Sequence, residues 1–141
     1  MLNINWEELC EAIGDYTKTH HYFLNKKTGE ILVLSEYMSE TAKDEIKKRI
    51  RGTNFADYVI IPTLDSREGY KMMEEFITYT GDEKLKKQLT DALAKEAPFK
   101  KFKEAVFNYP EERRRWLEFR QQRLLEHAKQ WLKQIGILEI F

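Results

Sequence analysis

The chain has 141 residues and one cysteine, Cys10, so no disulfide can close within it. That composition suits a reducing compartment, and the cytoplasm is the expected home. Prolines number three and glycines six, too few for a linker-rich or repetitive chain. No apolar run approaches the roughly 20 residues that a membrane helix needs. The opening segment, Met1 to Cys10, has no basic region followed by an apolar core, so no signal peptide is expected. Net charge is zero, with 24 basic and 24 acidic residues, which argues against the strongly basic class of nucleic-acid-binding domains.

Catalytic signatures are missing too. There is no glycine-rich phosphate loop, no GxGxxG after a strand, no HExxH and no GxSxG. His20 and His21 are adjacent, and neighbours in a strand point to opposite faces, so the two are badly placed to share a metal. With Asp15, Tyr16 and Tyr22 close in sequence, either histidine is a candidate general base, but no nucleophile accompanies it. A non-enzyme is the preferred reading, and no cofactor or metal is expected.

What is present is a set of well-punctuated segments. Asn5 and Glu8 make a capping box that opens a helix to about Ile13, closed by Gly14. Residues 20–25 and 30–35 read as a hairpin around Lys26-Lys27-Thr28-Gly29, with the glycine supplying positive φ. Apolar residues fall on both faces of the second strand. Ser39 caps a charged helix stopped by Gly52, with Lys47, Lys48, Arg49 and Arg51 at its C-terminal end, where cations suit the dipole. Tyr58 to Ile61 read as a third strand, central or at least buried, because all four residues are β-branched or aromatic. Asp65 with Glu68 opens a helix to about Thr80, and Asp82 opens one to about Lys95 with Leu85, Leu89, Ala92 and Leu93 inward. Pro98 opens a helix over 99–107, with Phe99, Phe102, Val106 and Tyr109 on one face.

The last helix is the longest. Pro110 starts it, Asn108 or Tyr109 caps it, with Asn108 preferred for its side chain, and Gly136 ends it after about Ile135. Leu117, Leu124, Ala128, Trp131 and Ile135 form one stripe, with Leu132 and Trp116 flanking it, and are expected in the core. Arg113, Trp116, Arg120, Arg123 and His127 form a basic row spaced three and four apart. The preferred reading has Arg113 and Arg120 reaching from the core edge to carboxylates elsewhere in the fold. The sharper reading makes the row, with Lys100, Lys101 and Lys103, a site for an anion, a nucleic acid or an acidic partner.

The order of strands first and helices after gives an α+β fold: a small antiparallel three-stranded sheet, hairpin plus third strand, packed against a C-terminal helical half that ends in the long helix. One domain over 1–141 is expected, with a sheet-containing half (1–64) and a helical half (65–141). Charge divides unevenly: residues 1–81 carry 10 basic and 14 acidic groups, and residues 82–141 carry 14 and 10. The tail beyond Gly136, Ile137 to Phe141, is apolar and is expected to add a strand or dock on a partner chain.

Several of these segments together resemble a known family. They are Tyr22-Phe23-Leu24 with Thr28-Gly29-Glu30; Ile61-Pro62; Tyr70, Met73 and Glu75-Phe76-Ile77; and Ala92-Leu93 before Phe99 and Phe102-Lys103. The most specific run is Pro110, Arg114-Arg115-Trp116, Phe119-Arg120, Arg123, Ala128, Trp131-Leu132 and Gly136-Ile137. The chain resembles the bacterial Uncharacterised Protein Family 0158 over most of its length. It departs from the family pattern at Asn25, where an Asp is expected, and at Ala97-Pro98, where a glycine-rich junction is expected. The resemblance implies the fold grouping and a bacterial origin, and it implies no activity. The functional expectation is therefore an interaction or regulatory module binding a protein, self or other. Nucleic-acid or anion binding through the 110–135 helix is the alternative, and a small enzyme comes third.

Overall fold

The computed structural model describes residues 2–53 and 57–137. Its elements are α1 (Trp6–Ile13), β1 (His20–Asn25), β2 (Ile31–Ser35), α2 (Glu40–Thr53), β3 (Tyr58–Ile60), α3 (Ser66–Thr78), α4 (Glu83–Leu93), α5 (Pro98–Phe107) and α6 (Pro110–Gln134). The fold is α+β, with one three-stranded antiparallel sheet and a long C-terminal helix. Two compact units are formed: one from the chain up to Leu64 together with Leu124 onward, the other from Asp65–Arg123.

The first unit holds the sheet, ordered β2-β1-β3. Tyr22 pairs with Val33 on one side of β1, and Phe23 pairs with Ile60 on the other. The hairpin turn is tied by Asn25, whose side-chain oxygen accepts from Lys27 N–H at 2.9 Å and Thr28 N–H at 3.1 Å. That is a turn an uncharged Asn makes as well as an Asp does. Gly29 sits at φ +86°, and a Cβ there would lie 2.2 Å from the Asn3 carbonyl oxygen. The N-terminal segment crosses the turn at that point, with Asn3 N–H bonded to Thr28 O at 3.1 Å. Only a glycine meets both demands.

β3 corrects the expectation of a central strand. It lies at an edge, and Ile60 is 63% exposed. The buried residue of that run is Ile61, just past the strand, whose N–H bonds to Tyr22 O at 2.8 Å. A run of β-branched residues reports strand conformation, not position in the sheet. β2 is buried fully only at Leu32 and Ser35, and Ile31, Val33 and Leu34 are half-buried. α2, capped by the Ser39 hydroxyl accepting from Ala42 N–H at 3.1 Å, runs through Gly52 instead of stopping there. Its Arg49 reaches Glu30 through two bonds of 2.7 and 2.8 Å. The core of the unit is Leu9, Cys10, Ala12 and Ile13 of α1, Leu24, Leu32, Ile50, Ile61 and Leu64, with Leu124, Ala128 and Leu132 of α6.

The second unit is helical. Asp65 caps α3 by accepting from Glu68 N–H at 2.8 Å, and Asp82 caps α4 by accepting from Leu85 N–H at 3.0 Å. All four apolar positions expected to face inward on α4 are buried, as are Met73, Phe76 and Ile77 on α3. Four aromatic rings form the centre. Phe102 lies 4.9 Å from Trp116, Phe76 lies 5.4 Å from Trp116 and 6.3 Å from Phe102, and Phe119 is 5.6 Å from Phe76. Edge-to-face approach of this kind adds to area burial. At the α4–α5 junction Ala97 adopts a left-handed conformation, φ 51° and ψ 56°. That is the position where the resemblance led us to expect glycine.

α6 itself departs from the expected phase. Trp116 is 4% exposed and belongs to the core, while Leu117 is 56% exposed. The fully buried positions are Trp116, Leu124, Ala128 and Leu132, and Trp131 and Ile135 are half-buried. The helix belongs to one unit up to Arg123 and to the other from Leu124 onward, so one continuous stripe drawn at 100° per residue does not apply. The expected Asn108 cap is also corrected. Asn108 ends α5, and the Tyr109 carbonyl accepts from Arg113 N–H at 2.8 Å to start α6. Residues 138–141 of the expected apolar tail lie outside the described residues.

Candidate functional site

The residues singled out in the sequence do not all meet. Arg113, Trp116, Arg120 and Arg123 lie in the helical unit with Lys100, Lys101 and Lys103, whereas His127 falls in the sheet unit and is exposed. Trp116 is core, so it presents no face to a ligand. Arg123 bonds to Glu75 and its guanidinium lies 4.8 Å from the Phe119 ring centre. Arg120 is half-buried.

The neighbouring arginines are neutralised along their own helix. Arg114 donates to Glu118 at 2.7 Å and to Glu111 at 3.1 Å, and these bonds raise its guanidinium pKa above the ordinary value. Arg115 donates to Glu112 at 3.2 Å. Such i, i+3 and i, i+4 pairs are what the EERRR run makes once helical. Arg113 differs. Its guanidinium lies 4.8 Å above the ring of Phe107, the last residue of α5, which is 62% exposed. Leu117 is one turn further along the same face of α6. Phe107, Arg113 and Leu117 therefore make an apolar and guanidinium patch at the α5–α6 corner. Helical periodicity misplaced it by assigning Leu117 to the core.

Beside it, α4 and α5 enclose an open cleft of about 390 Å³, lined by Gln88, Asp91, Lys95, Lys101, Glu104 and Asn108 among others. Both signs of charge face it, so it has no single electrostatic preference. Lys100, Lys101 and Lys103 are exposed, with no carboxylate within ion-pair distance among the described residues.

In the sheet unit, the α1–β1 loop carries a polar network around Asp15. Thr17 binds one carboxylate oxygen and Tyr22 the other. Burial alone would raise the Asp15 carboxyl. The bonds from Thr17 and Tyr22, with His20 nearby, outweigh it and hold the group below its ordinary range. The Tyr22 phenol is pushed well up, by burial first and then by Asp15. His21 points away and is exposed. Among the described residues there is no group of three His, Cys, Asp or Glu placed to hold a metal, and no helix long and apolar enough to cross a membrane. The alternation Asp15-x-Thr17-x-Thr19 is the sequence signal for this network.

These features define an α+β protein with a helical unit that exposes an arginine-aromatic corner, and with no group of three His, Cys, Asp or Glu placed to hold a metal among the described residues. The chain belongs to the Uncharacterised protein family (UPF0158), whose profile matches residues 1–141. It is similar to UPF0158 protein PA5073 of Pseudomonas aeruginosa, at 26% identity over 132 residues, covering 94% of this chain and 82% of the relative. No solved structure gives a significant match.

Proposed function

We propose that this protein is a non-catalytic interaction module that binds another protein through the Phe107–Arg113–Leu117 corner of its helical unit. The observation that carries this is an exposed aromatic, an exposed leucine and a stacked arginine on one patch, beside arginines already neutralised by Glu111, Glu112 and Glu118. Aromatic and arginine side chains dominate the centres of protein interfaces, and a planar guanidinium held over a ring is already ordered for binding. A photo-crosslinking residue placed at 117 in living cells tests it. Defined protein adducts should appear there and be lost with Arg113→Glu. Adducts no different from those at an exposed control position such as Lys71 would refute the reading.

Nucleic-acid binding is the second reading. Lys100, Lys101 and Lys103, exposed and without an ion pair among the described residues, favour it, and the neutralised arginines weigh against it. It requires binding to mixed-sequence oligonucleotides that falls steeply with salt and is lost when these three lysines become alanine.

A further inference from the structure

The hydrogen bonds of the α1–β1 loop determine where the proton on His20 sits. Asp15 is ionised at neutral pH and can only accept. The Thr17 hydroxyl donates to Asp15 Oδ1 at 2.6 Å. A hydroxyl has one proton, so Thr17 Oγ1 is left as an acceptor. It lies 3.1 Å from Thr19 Oγ1, and that bond must take the Thr19 proton. Thr19 is then an acceptor as well. Its contact with His20 Nδ1, at 2.9 Å, closes only if the imidazole donates. The same nitrogen lies 3.4 Å from Asp15 Oδ2, a second acceptor. Tyr22 donates to that oxygen at 2.7 Å, so no member of the network offers Nδ1 a proton. Nδ1 carries the hydrogen, and in the neutral ring Nε2 is a bare lone pair.

Nε2 has no protein partner among the described residues. The His20 side chain is 32% exposed, with its Nδ1 edge held inward. Its ring is flanked by Tyr22 at 6.1 Å and by Tyr37 at 6.3 Å, and Tyr37 is 79% exposed. An oriented acceptor beside an open aromatic ring is what a small site needs to take a planar molecule by one directional bond and one stacked face. We propose that His20 Nε2 is a preset acceptor in a small-molecule subsite, receiving the O–H or N–H donor of a flat ring that lies against Tyr37. The site belongs to the sheet unit and is independent of the helical corner.

Long-range ¹H–¹⁵N spectra of the ¹⁵N-labelled full chain test this in mildly alkaline buffer. His20, identified by His20→Gln, should show a protonated Nδ1 and an unprotonated Nε2. Thr17→Val, which removes the first link, should move His20 toward the opposite tautomer, and Thr17→Ser should leave it unchanged. Phenol, used as the probe, should shift the His20 Nε2 resonance more than those of His21 and His127, with affinity several-fold weaker in Tyr37→Ala. A wild-type spectrum with the proton on Nε2 overturns the proposal at its base. The expected tautomer with no selective phenol response, or a response indifferent to Tyr37→Ala, overturns the subsite.

Discussion

Replacing Trp116 with alanine tests the placement of α6 most directly. The side chain is 4% exposed and meets Phe102, Phe76 and Phe119 at ring distances of 4.9, 5.4 and 6.2 Å. A tryptophan buries roughly 150–250 Å², worth about 4–6 kcal/mol at ~25 cal/mol per Å². Compaction of the unfolded chain trims that by roughly 10–40%, to about 3–5 kcal/mol, which agrees with the usual cost of deleting a large core aromatic. In a chain of this length the change lowers the melting temperature by roughly 10–15 °C. Thermal unfolding followed by circular dichroism at the helix band measures it, with Trp116→Phe expected to recover a good part of the loss. A change within about 0.5 kcal/mol, the level of an ordinary surface substitution, would refute the core placement and return Trp116 to the basic row.

Two backbone substitutions of opposite sign check the left-handed positions. Gly29→Ala should cost more than about 2 kcal/mol, because a Cβ at φ +86° meets Asn3 O at 2.2 Å, and urea unfolding should show it. Ala97→Gly should stabilise by up to about 1 kcal/mol by relieving φ 51°, and a neutral or destabilising result would mean the strain is absent. For Asp15, the folded carboxyl lies below the ordinary 3.8. Its stabilisation is therefore fully present above 3.8 and disappears as pH falls through the folded value. Asp15→Asn should cost about 1–3 kcal/mol at neutral pH, and the gap to wild type should close on acidification across that window. A gap independent of pH would contradict the network. Leu117→Ser, at an exposed position, should leave the melting temperature nearly unchanged while removing crosslinked adducts at the neighbouring Phe107 corner.

Local chemistry was readable without coordinates wherever the cause lay within a few residues. Asn5, Ser39, Asp65 and Asp82 cap their helices because a short side-chain oxygen three residues before a free N–H needs no other context. Gly29 and Gly136 take positive φ, and the hairpin and the inward face of α4 follow from spacing alone. The choice between Asn108 and Tyr109 was not readable, because Asn108 ends the preceding helix and is spent there.

The remainder required tertiary structure. Periodicity gives the angle between two residues on a helix, but the zero of that angle is set by what the helix packs against. Leu117, expected in the core stripe, is exposed for that reason, while Trp116, expected at its flank, is buried. Strand composition likewise cannot say which neighbour is missing, so β3 went from an expected interior strand to an edge. The arginine row divided in the same way: Arg123 meets Glu75, distant in sequence, and Arg113 lies over Phe107 only because the chain turns between α5 and α6. The proton on His20 is the clearest case. Each donor and acceptor is visible in the stretch from Asp15 to Tyr22, but the direction of the chain of bonds exists only once the loop brings their atoms to within 2.6–3.4 Å of one another.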